Sequence, residues 1–425
     1  MAAQTKEKRV EGSCAGLAEV ESAGLRLPAR SPVSPLERWL VRRFIAAVGN
    51  PPVRIGLWDG THVDGGSATS APRPAIVVRD RAALWRLMTH PTLAFGEEYA
   101  EGGLHFEGDL LDLLRSVIRH RPAYLESRFL GRWSKRAHNT LSGSRSNISH
   151  HYDIGNDFYK LWLDREMAYT CAYFPDPDVT LESAQFAKMD LVCRKLNLQR
   201  GDTVVEAGCG WGGLARHMAR HYGVRVKAYN ISSEQVAYAR QRATEERLDH
   251  MIEFIQDDYR NIRGSFDAFV SVGMLEHVGV ENYVALGNVI NGCLKPEGRG
   301  LIHSIGQNRA EPLGGFIEKH IFPGAYPPTL REMMRILEPN GFAVVDVENL
   351  RPHYALTLAH WLARFERNAD RVREMFDERF YRAWRLYLAS SQASFETNRL
   401  QLFQVVFSRL DVEFFPLTRT RLYKC

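Results

Sequence analysis

Short apolar runs recur through the second half of the chain, separated by longer stretches whose apolar positions return at helical spacing. Strands are expected at 203–207, 225–230, 252–256, 268–272, 300–305, 343–350 and 402–408. Helical periods predict helices at 214–222, 233–245, 281–291 and 329–339. Such alternation favours a parallel sheet covered on both faces, with right-handed crossovers. The expected fold class is therefore α/β, a doubly wound, mostly parallel seven-stranded sheet. Ligands of such sheets sit at the carboxyl ends of the strands. A glycine turn, Asn230, Asp257, Glu276 and His303 all fall at those ends.

Upstream the pattern is shorter and mixed. It predicts strands opening at 74 and 104, helices at 81–88, 95–103 and 110–118, and a hairpin loop at 60–71. A smaller N-terminal α+β domain is expected over 35–121, followed by a basic linker at 122–148 and the main domain at 149–425. Residues 1–34 show no clean period and read as a mobile leader.

The first strand of the main domain runs into Gly208-Cys-Gly-Trp-Gly212 and then a helix. Glycines at 208, 210 and 212 admit turn dihedrals closed to other residues and let a ligand approach bare backbone, beside the unpaired N–H groups of a helix start. This points to a nucleotide-type cofactor. The spacing is G-x-G-x-G, and Glu206 stands two residues before the first glycine. A pyrophosphate is repelled by that carboxylate, whereas a cofactor with a cationic amino-acid end is attracted, so charge favours S-adenosylmethionine over NAD.

Bulk properties narrow the picture further. The chain has 425 residues, 45% of them apolar, and six scattered cysteines without a C-x-x-C pair, so neither a disulfide framework nor a zinc site is indicated. His150, His151 and Asp153 lie together, but adjacent histidines diverge on either a strand or a helix, and no metal is assigned. No long apolar span or signal-type leader occurs, so a cytoplasmic protein is expected. The charge is uneven: residues 1–150 carry 21 Lys and Arg against 15 Asp and Glu, leaving 34 against 35 for the remainder. Arg115, Arg119, Arg121, Arg128, Arg132, Lys135, Arg136 and Arg145, with Tyr124, Phe129 and Trp133 between them, suit an anionic lipid surface. An ordinary solvated helix and linker accounts for the same residues equally well. No nucleic-acid module accompanies them, and no nucleic-acid partner is expected.

From about residue 150 to 409 the chain resembles the cyclopropane-fatty-acyl-phospholipid synthase family of S-adenosylmethionine-dependent methyltransferases, which includes the mycolic-acid cyclopropane synthases. The matching segments are His151-Tyr-Asp-Ile-Gly-Asn-Asp-Phe-Tyr159, Tyr169-Thr-Cys-Ala-Tyr-Phe174, Glu206-Ala-Gly-Cys-Gly-Trp-Gly212, Gly273-Met-Leu-Glu-His-Val-Gly279, Leu301-Ile-His-Ser-Ile-Gly306, Ile321-Phe-Pro-Gly324 and His353-Tyr-Ala-Leu-Thr-Leu358. A looser likeness, through Glu98-Tyr-Ala-Glu-Gly-Gly and Phe106-Glu-Gly-Asp-Leu, relates the N-terminal part to the family's small lipid-associated domain.

The resemblance implies a class I methyltransferase, Rossmann-like fold and a cofactor lying against Gly208, Gly210 and Gly212 under Tyr169 and Thr170. It places the ribose on the segment holding Asn230, Ser232 and Gln235, and the adenine amine at Asp257 or Asp258. The implied reaction delivers a methylene unit to the cis double bond of an unsaturated acyl chain of a phospholipid in the bilayer surface, through a carbocation. It also implies a bound bicarbonate as base, held by Cys171, Glu276, His303, the backbone at Ile305 and Tyr354. Close alternatives are a methyl-branched product from the same cation and a catalytically silent lipid-binding homologue. The protein is expected to work as a peripheral membrane enzyme at the inner face of the membrane, and a homodimer would strengthen its hold there. One position departs from the family pattern: Ser391 stands where several members carry a cysteine.

Overall fold

The computed structural model describes residues 31–67, 73–121, 154–410, 412 and 417–423. The expected leader at 1–34, apart from its last residues, lies outside them. So do the linker at 122–148, the basic and aromatic residues from Tyr124 to Arg145, and His150, His151 and Asp153.

The smaller sheet holds β1 (Arg54–Gly56), β2 (His62–Asp64), β3 (Ala75–Val78) and β4 (Leu104–Glu107), in the order β2-β1-β3-β4. β1 and β2 form an antiparallel hairpin, so a strand occupies part of the expected loop at 60–71. Its single buried residue, Val63, is too short an apolar signal to separate a strand from a loop. Helix Pro35–Ala47 precedes the sheet, started by a capping box between Ser34 and Glu37. Arg115, read from sequence as part of a lipid-facing cluster, pairs instead with Glu396 at 2.6 Å. That bond ties helix Leu110–His120 to helix Glu378–Glu396 of the main domain, and both domains belong to one compact unit from Val33 to Cys425.

The larger sheet has seven strands: β5 (Thr203–Ala207), β6 (Arg225–Asn230), β7 (Ile252–Gln256), β8 (Phe266–Val272), β9 (Leu294–Gln307), β10 (Phe342–Asn349) and β11 (Leu400–Arg409). Their order is β10-β11-β9-β8-β5-β6-β7, and only β11 runs against its neighbours. Chain order reverses direction between β5 and β8, which is where a doubly wound sheet opens its ligand crevice. β5 is buried along nearly its whole length, as befits a central parallel strand covered on both faces.

Helices expected from periodicity form close to where they were read, among them Ser233–Glu245, Tyr283–Cys293 and Leu330–Leu337. The stretch after β10 carries no strand signal and folds as helices Arg351–Arg367, Ala369–Met375 and Glu378–Glu396. Their aromatic residues join the segment around Phe158 in one cluster: Trp162 lies 5.5 Å from Trp361, and Phe158 lies 5.0 Å from Trp384. This aromatic mass walls the carboxyl end of the sheet.

Candidate active site

A cleft with about 1090 Å³ of empty space, open solvent at its mouth included, lies at the carboxyl ends of β5, β6, β7 and β8. Its floor is the glycine turn. Gly208 has φ +83, and a Cβ there would come within 2.9 Å of Met274. Gly210, at φ +53, has only open space where a Cβ would stand, so its backbone is bare to the cleft. The open space at Gly210 fits a ligand resting on peptide, whereas at Gly208 the missing side chain makes room for Met274.

Tyr169, Thr170, Gly208, Gly210, Asn230, Gln235, Asp257 and Asp258 all line this cleft. Gly212 and Ser232 do not. A Cβ at Gly212 would meet Phe254 and Ala239 at 2.7 and 2.8 Å, so this glycine lets the following helix pack closely. Ser232 caps helix Ser233–Glu245, its hydroxyl accepting from the Gln235 N–H. Asn230 turns its amide inward, donating to the Gly210 carbonyl at 3.2 Å and to Gln235 Oε1 at 2.7 Å. With its oxygen so engaged, Gln235 is left with an amide donor for a hydroxyl. Asp257 accepts from Asn261 at 2.9 Å, and Asp258 pairs with Arg260 at 3.0 Å.

Lys188, Trp211, Met274 and His277 also line the cleft and were not singled out from sequence. The signal for Lys188 was present: it shares the buried face of helix Leu181–Lys195 with Leu181, Ala184, Gln185 and Leu191. A polar residue on an apolar helical face asks for a partner. Glu206 lies at the foot of the cleft, 2% exposed, and burial pushes its carboxyl up to about 7 while Lys188 and Arg216 oppose that rise.

Beside the cleft, Glu276, His303 and Ile305 come together where β8 and β9 end. The Gly273 N–H donates to the His303 carbonyl at 2.9 Å, holding the two strand ends side by side. The Ile305 N–H donates to Glu276 Oε1 at 2.6 Å, so Glu276 takes the amide expected to meet a bound anion. Glu276 Oε2 and His303 Nε2 are both buried and neither meets a well-aligned hydrogen-bond partner among the described residues, although the Ser304 hydroxyl stands close enough to the Glu276 carboxyl to favour its ionised form. Burial pushes the Glu276 carboxyl up to about 7 and the His303 imidazole well below its usual range.

The tautomer of His303 follows from its neighbours. Lys195 Nζ can only donate and meets Gln404 Oε1 at 2.6 Å, which turns the Gln404 amide nitrogen toward His303 Nδ1 at 3.0 Å. Nδ1 is thus an acceptor, and the ring proton sits on Nε2. A buried N–H donor at His303 and a buried carboxyl at Glu276, raised toward neutrality, are each the kind of group that a small oxyanion carrying a proton of its own would satisfy.

Cys171 and Tyr354 belong to the apolar cluster against which Ile305 packs. The Cys171 thiol, raised by burial above its ordinary range, donates to the Ala172 carbonyl at 3.1 Å. Helix Arg351–Arg367, which carries Tyr354, is stitched to this segment: Thr357 Oγ1 accepts the Ala172 N–H at 3.0 Å and His353 Nδ1 accepts that of Phe174 at 3.1 Å. The Tyr354 ring packs against that of Phe395, tilted by 32° with the centroids 4.5 Å apart. Ser391 is half-buried on helix Glu378–Glu396 and does not line the cleft.

Comparison with known proteins identifies the family. Residues 139–405 match the family model for mycolic acid cyclopropane synthetase, and residues 40–128 match a domain family of unknown function. A cyclopropane-fatty-acyl-phospholipid synthase of Escherichia coli is 38% identical over 353 residues, 81% of this chain and 90% of that one. A probable fatty acid methyltransferase of Pseudomonas putida is 38% identical over 364 residues, 84% and 91% of the two chains. The solved structure of mycolic acid cyclopropane synthase CmaA1 complexed with SAH and CTAB superposes with a TM-score of 0.60 at 30% identity, covering 62% of this chain and 98% of that one. A glycine-floored cleft at the switch point of a seven-stranded sheet, together with these matches, makes the chain a member of the mycolic acid cyclopropane synthetase family, an S-adenosylmethionine-dependent methyltransferase of the cyclopropane-fatty-acyl synthase type.

Proposed function

We propose that the protein transfers a methylene unit from S-adenosylmethionine to the cis double bond of an unsaturated acyl chain in a membrane phospholipid, giving a cyclopropane fatty acid. The observation that carries this reading is that two buried atoms, Glu276 Oε2 and His303 Nε2, stand without a well-aligned hydrogen-bond partner next to a cofactor cleft. An isolated alkene is a weak nucleophile, so the donor must be a sulfonium, and its alkylation leaves a carbocation that water must not reach. Aromatic residues at the cleft, Tyr169 and Trp211, tolerate such a cation and help exclude solvent. Ring closure then needs a base for one methyl proton.

The unsatisfied donor and carboxyl fit bicarbonate, which when bound supplies that base. His303 Nε2–H would donate to it and Glu276 Oε2 would accept its proton, with Cys171 and Tyr354 on the apolar side. Retention of Glu276, His303 and Tyr354 argues against a silent lipid-binding homologue. Purified protein incubated with labelled S-adenosylmethionine and unsaturated phospholipid vesicles is expected to yield acyl chains that gain one CH2 and lose the olefin. Gain of a CH2 plus two hydrogens would mean a methyl branch instead, as the name of the Pseudomonas putida relative allows.

The same reading calls for contact with a bilayer. No helix among the described residues is long and apolar enough to cross one. The outward face of helix Pro35–Ala47 presents Leu36 and Trp39, 62% and 54% exposed, with Arg42 and Arg43 one turn on. Its acidic residue, Glu37, is buried and bridged to Arg81 on helix Arg81–Thr89, which exposes Trp85. Tryptophan flanked by arginine suits the headgroup layer of an anionic membrane. Trp39→Ala combined with Arg42→Glu and Arg43→Glu is expected to lower turnover on phosphatidylglycerol vesicles by about tenfold or more, since each basic residue at such a surface is worth about 1 kcal/mol. Turnover on detergent-dispersed substrate should stay as in wild type, and an equal loss in both assays would count against this contact.

A further inference from the structure

At the antiparallel side of the larger sheet, Glu348 on β10, Gln404 on β11 and His303 on β9 stand directly across from one another, so their side chains share one face. Helix Leu181–Lys195 ends over that row. Its last residue, Lys195, is 4% exposed, and its ammonium bridges Glu348 Oε2 and Gln404 Oε1, the latter at 2.6 Å. None of Lys195, Glu348 and Gln404 lines the cofactor cleft.

The direction of the bonds in this row depends on the lysine's charge. A neutral amine has a lone pair and can accept from the Gln404 amide nitrogen, which would turn the Gln404 oxygen toward the imidazole and draw the ring proton to Nδ1. An ammonium only donates. Burial draws Lys195 below its ordinary range, and the carboxylates of Glu348 and Asp346 oppose that fall while Arg419 adds to it. Both carboxylates are gripped from outside by residues near the end of the chain. Arg419 pairs with Asp346, and the Tyr423 hydroxyl donates to Glu348 Oε1 at 3.0 Å. Arg421 donates to Asn197 Oδ1 at 2.8 Å, which ties the same short helix, Thr420–Tyr423, to the chain just beyond Lys195. Tyr423 is 42% exposed, so the row runs from the protein surface to His303.

We propose that Lys195 is a positioning residue for the reaction: held by Glu348 and, behind it, by the helix Thr420–Tyr423, it keeps Gln404 donating to His303 Nδ1 and so keeps the Nε2–H ready for the reacting side. It rests on the reading of His303 as the donor to an oxyanion. Turnover thereby answers to residues that touch neither cofactor nor acyl chain.

Protein labelled with 15N in its histidines tests this, the His303 signals being those lost in His303→Ala. In the wild type Nε2 is expected as the protonated nitrogen and Nδ1 as the bare one. Lys195→Met should move both signals toward the opposite assignment and lower kcat by about tenfold to a hundredfold, the range for losing a hydrogen bond to a charged group. KM for S-adenosylmethionine and for unsaturated phospholipid vesicles should stay within about threefold. Because the lysine acts through Gln404, adding Lys195→Met to Gln404→Leu should change kcat by less than about twofold. Tyr423→Phe, a change at the surface that spares the core, should lower kcat by about twofold to tenfold at unchanged KM. Ring signals that do not move in Lys195→Met, or an equal loss of kcat and of S-adenosylhomocysteine affinity, would make the lysine merely structural and overturn the proposal. Wild-type kcat in Tyr423→Phe would overturn the part given to the C-terminal helix. Near-normal turnover in His303→Ala would instead end the reading of His303 as donor, a result that the ring signals of the other variants do not share.

Discussion

Glu276→Gln and His303→Ala are each expected to lower turnover by about 10³-fold or more, while affinity for S-adenosylhomocysteine stays within about threefold of wild type. The large effect follows from what each change removes. Glu276→Gln keeps an oxygen for the Ile305 N–H but replaces the proton acceptor at Oε2 with a donor or an inert amide face. His303→Ala deletes the Nε2 donor and leaves Gln404 without its acceptor at 3.0 Å. Neither residue lines the cofactor cleft, so cofactor affinity should be spared. Near-normal turnover in either variant would end the assignment of these two groups to an oxyanion.

The pH dependence has a definite sign. The native Glu276 carboxyl titrates near 7, well above an ordinary carboxyl, because it is buried. Its ionised fraction therefore grows through neutrality, and turnover should rise with pH through an inflection near 7 that is absent in Glu276→Gln. Stability moves the other way. A carboxyl whose native value lies above its unfolded one favours the protonated form in the fold, so its contribution is complete below the unfolded value of 4.5 and fades as pH rises toward 7.

The second large effect separates two glycines that look alike in the sequence. At Gly210 a Cβ has nothing within 4 Å, because it projects into the cleft, so Gly210→Val should reduce S-adenosylhomocysteine affinity by about a hundredfold or more through direct overlap. The φ of +53 adds a backbone cost of roughly 1–2 kcal/mol, enough to lower the melting temperature by a few degrees. Gly212→Val should do the reverse. Its Cβ would press into Phe254 and Ala239, forcing the helix start away from the sheet and costing about 3 kcal/mol or more. Thermal melts and calorimetry on the two variants should therefore move in opposite proportion, and similar profiles would mean that Gly212 also touches the cofactor.

The fold class was legible because it rests on local periodicity. β5 and β8 are short, almost fully buried runs bounded by turns, as central parallel strands covered on both faces require, and β6 opens with alternating exposed and buried residues before it too is buried. The strand ends that carry Asn230, Asp257, Glu276 and His303 follow directly, because the carboxyl end of a strand is a position in sequence as well as in space. What escaped the sequence was helical and aromatic. From Arg351 to Glu396 the apolar and charged residues alternate without a clean stripe, since these helices bury parts of several faces against each other, the small domain and the Phe158 segment.

The sequence by itself determined which strands would form, where their ligand-facing ends would lie, and to which family the chain would be matched, since each of these depends on residue order and spacing alone. Only the tertiary structure decided the direction of individual hydrogen bonds. That Lys195 turns Gln404, that Gln404 fixes the His303 proton on Nε2, and that Glu276 rather than a ligand receives the Ile305 N–H depend on residues 29 to 209 positions apart. Such pairings exist only once the sheet has brought distant strands into register, and a donor or acceptor has no direction until its partner is in place.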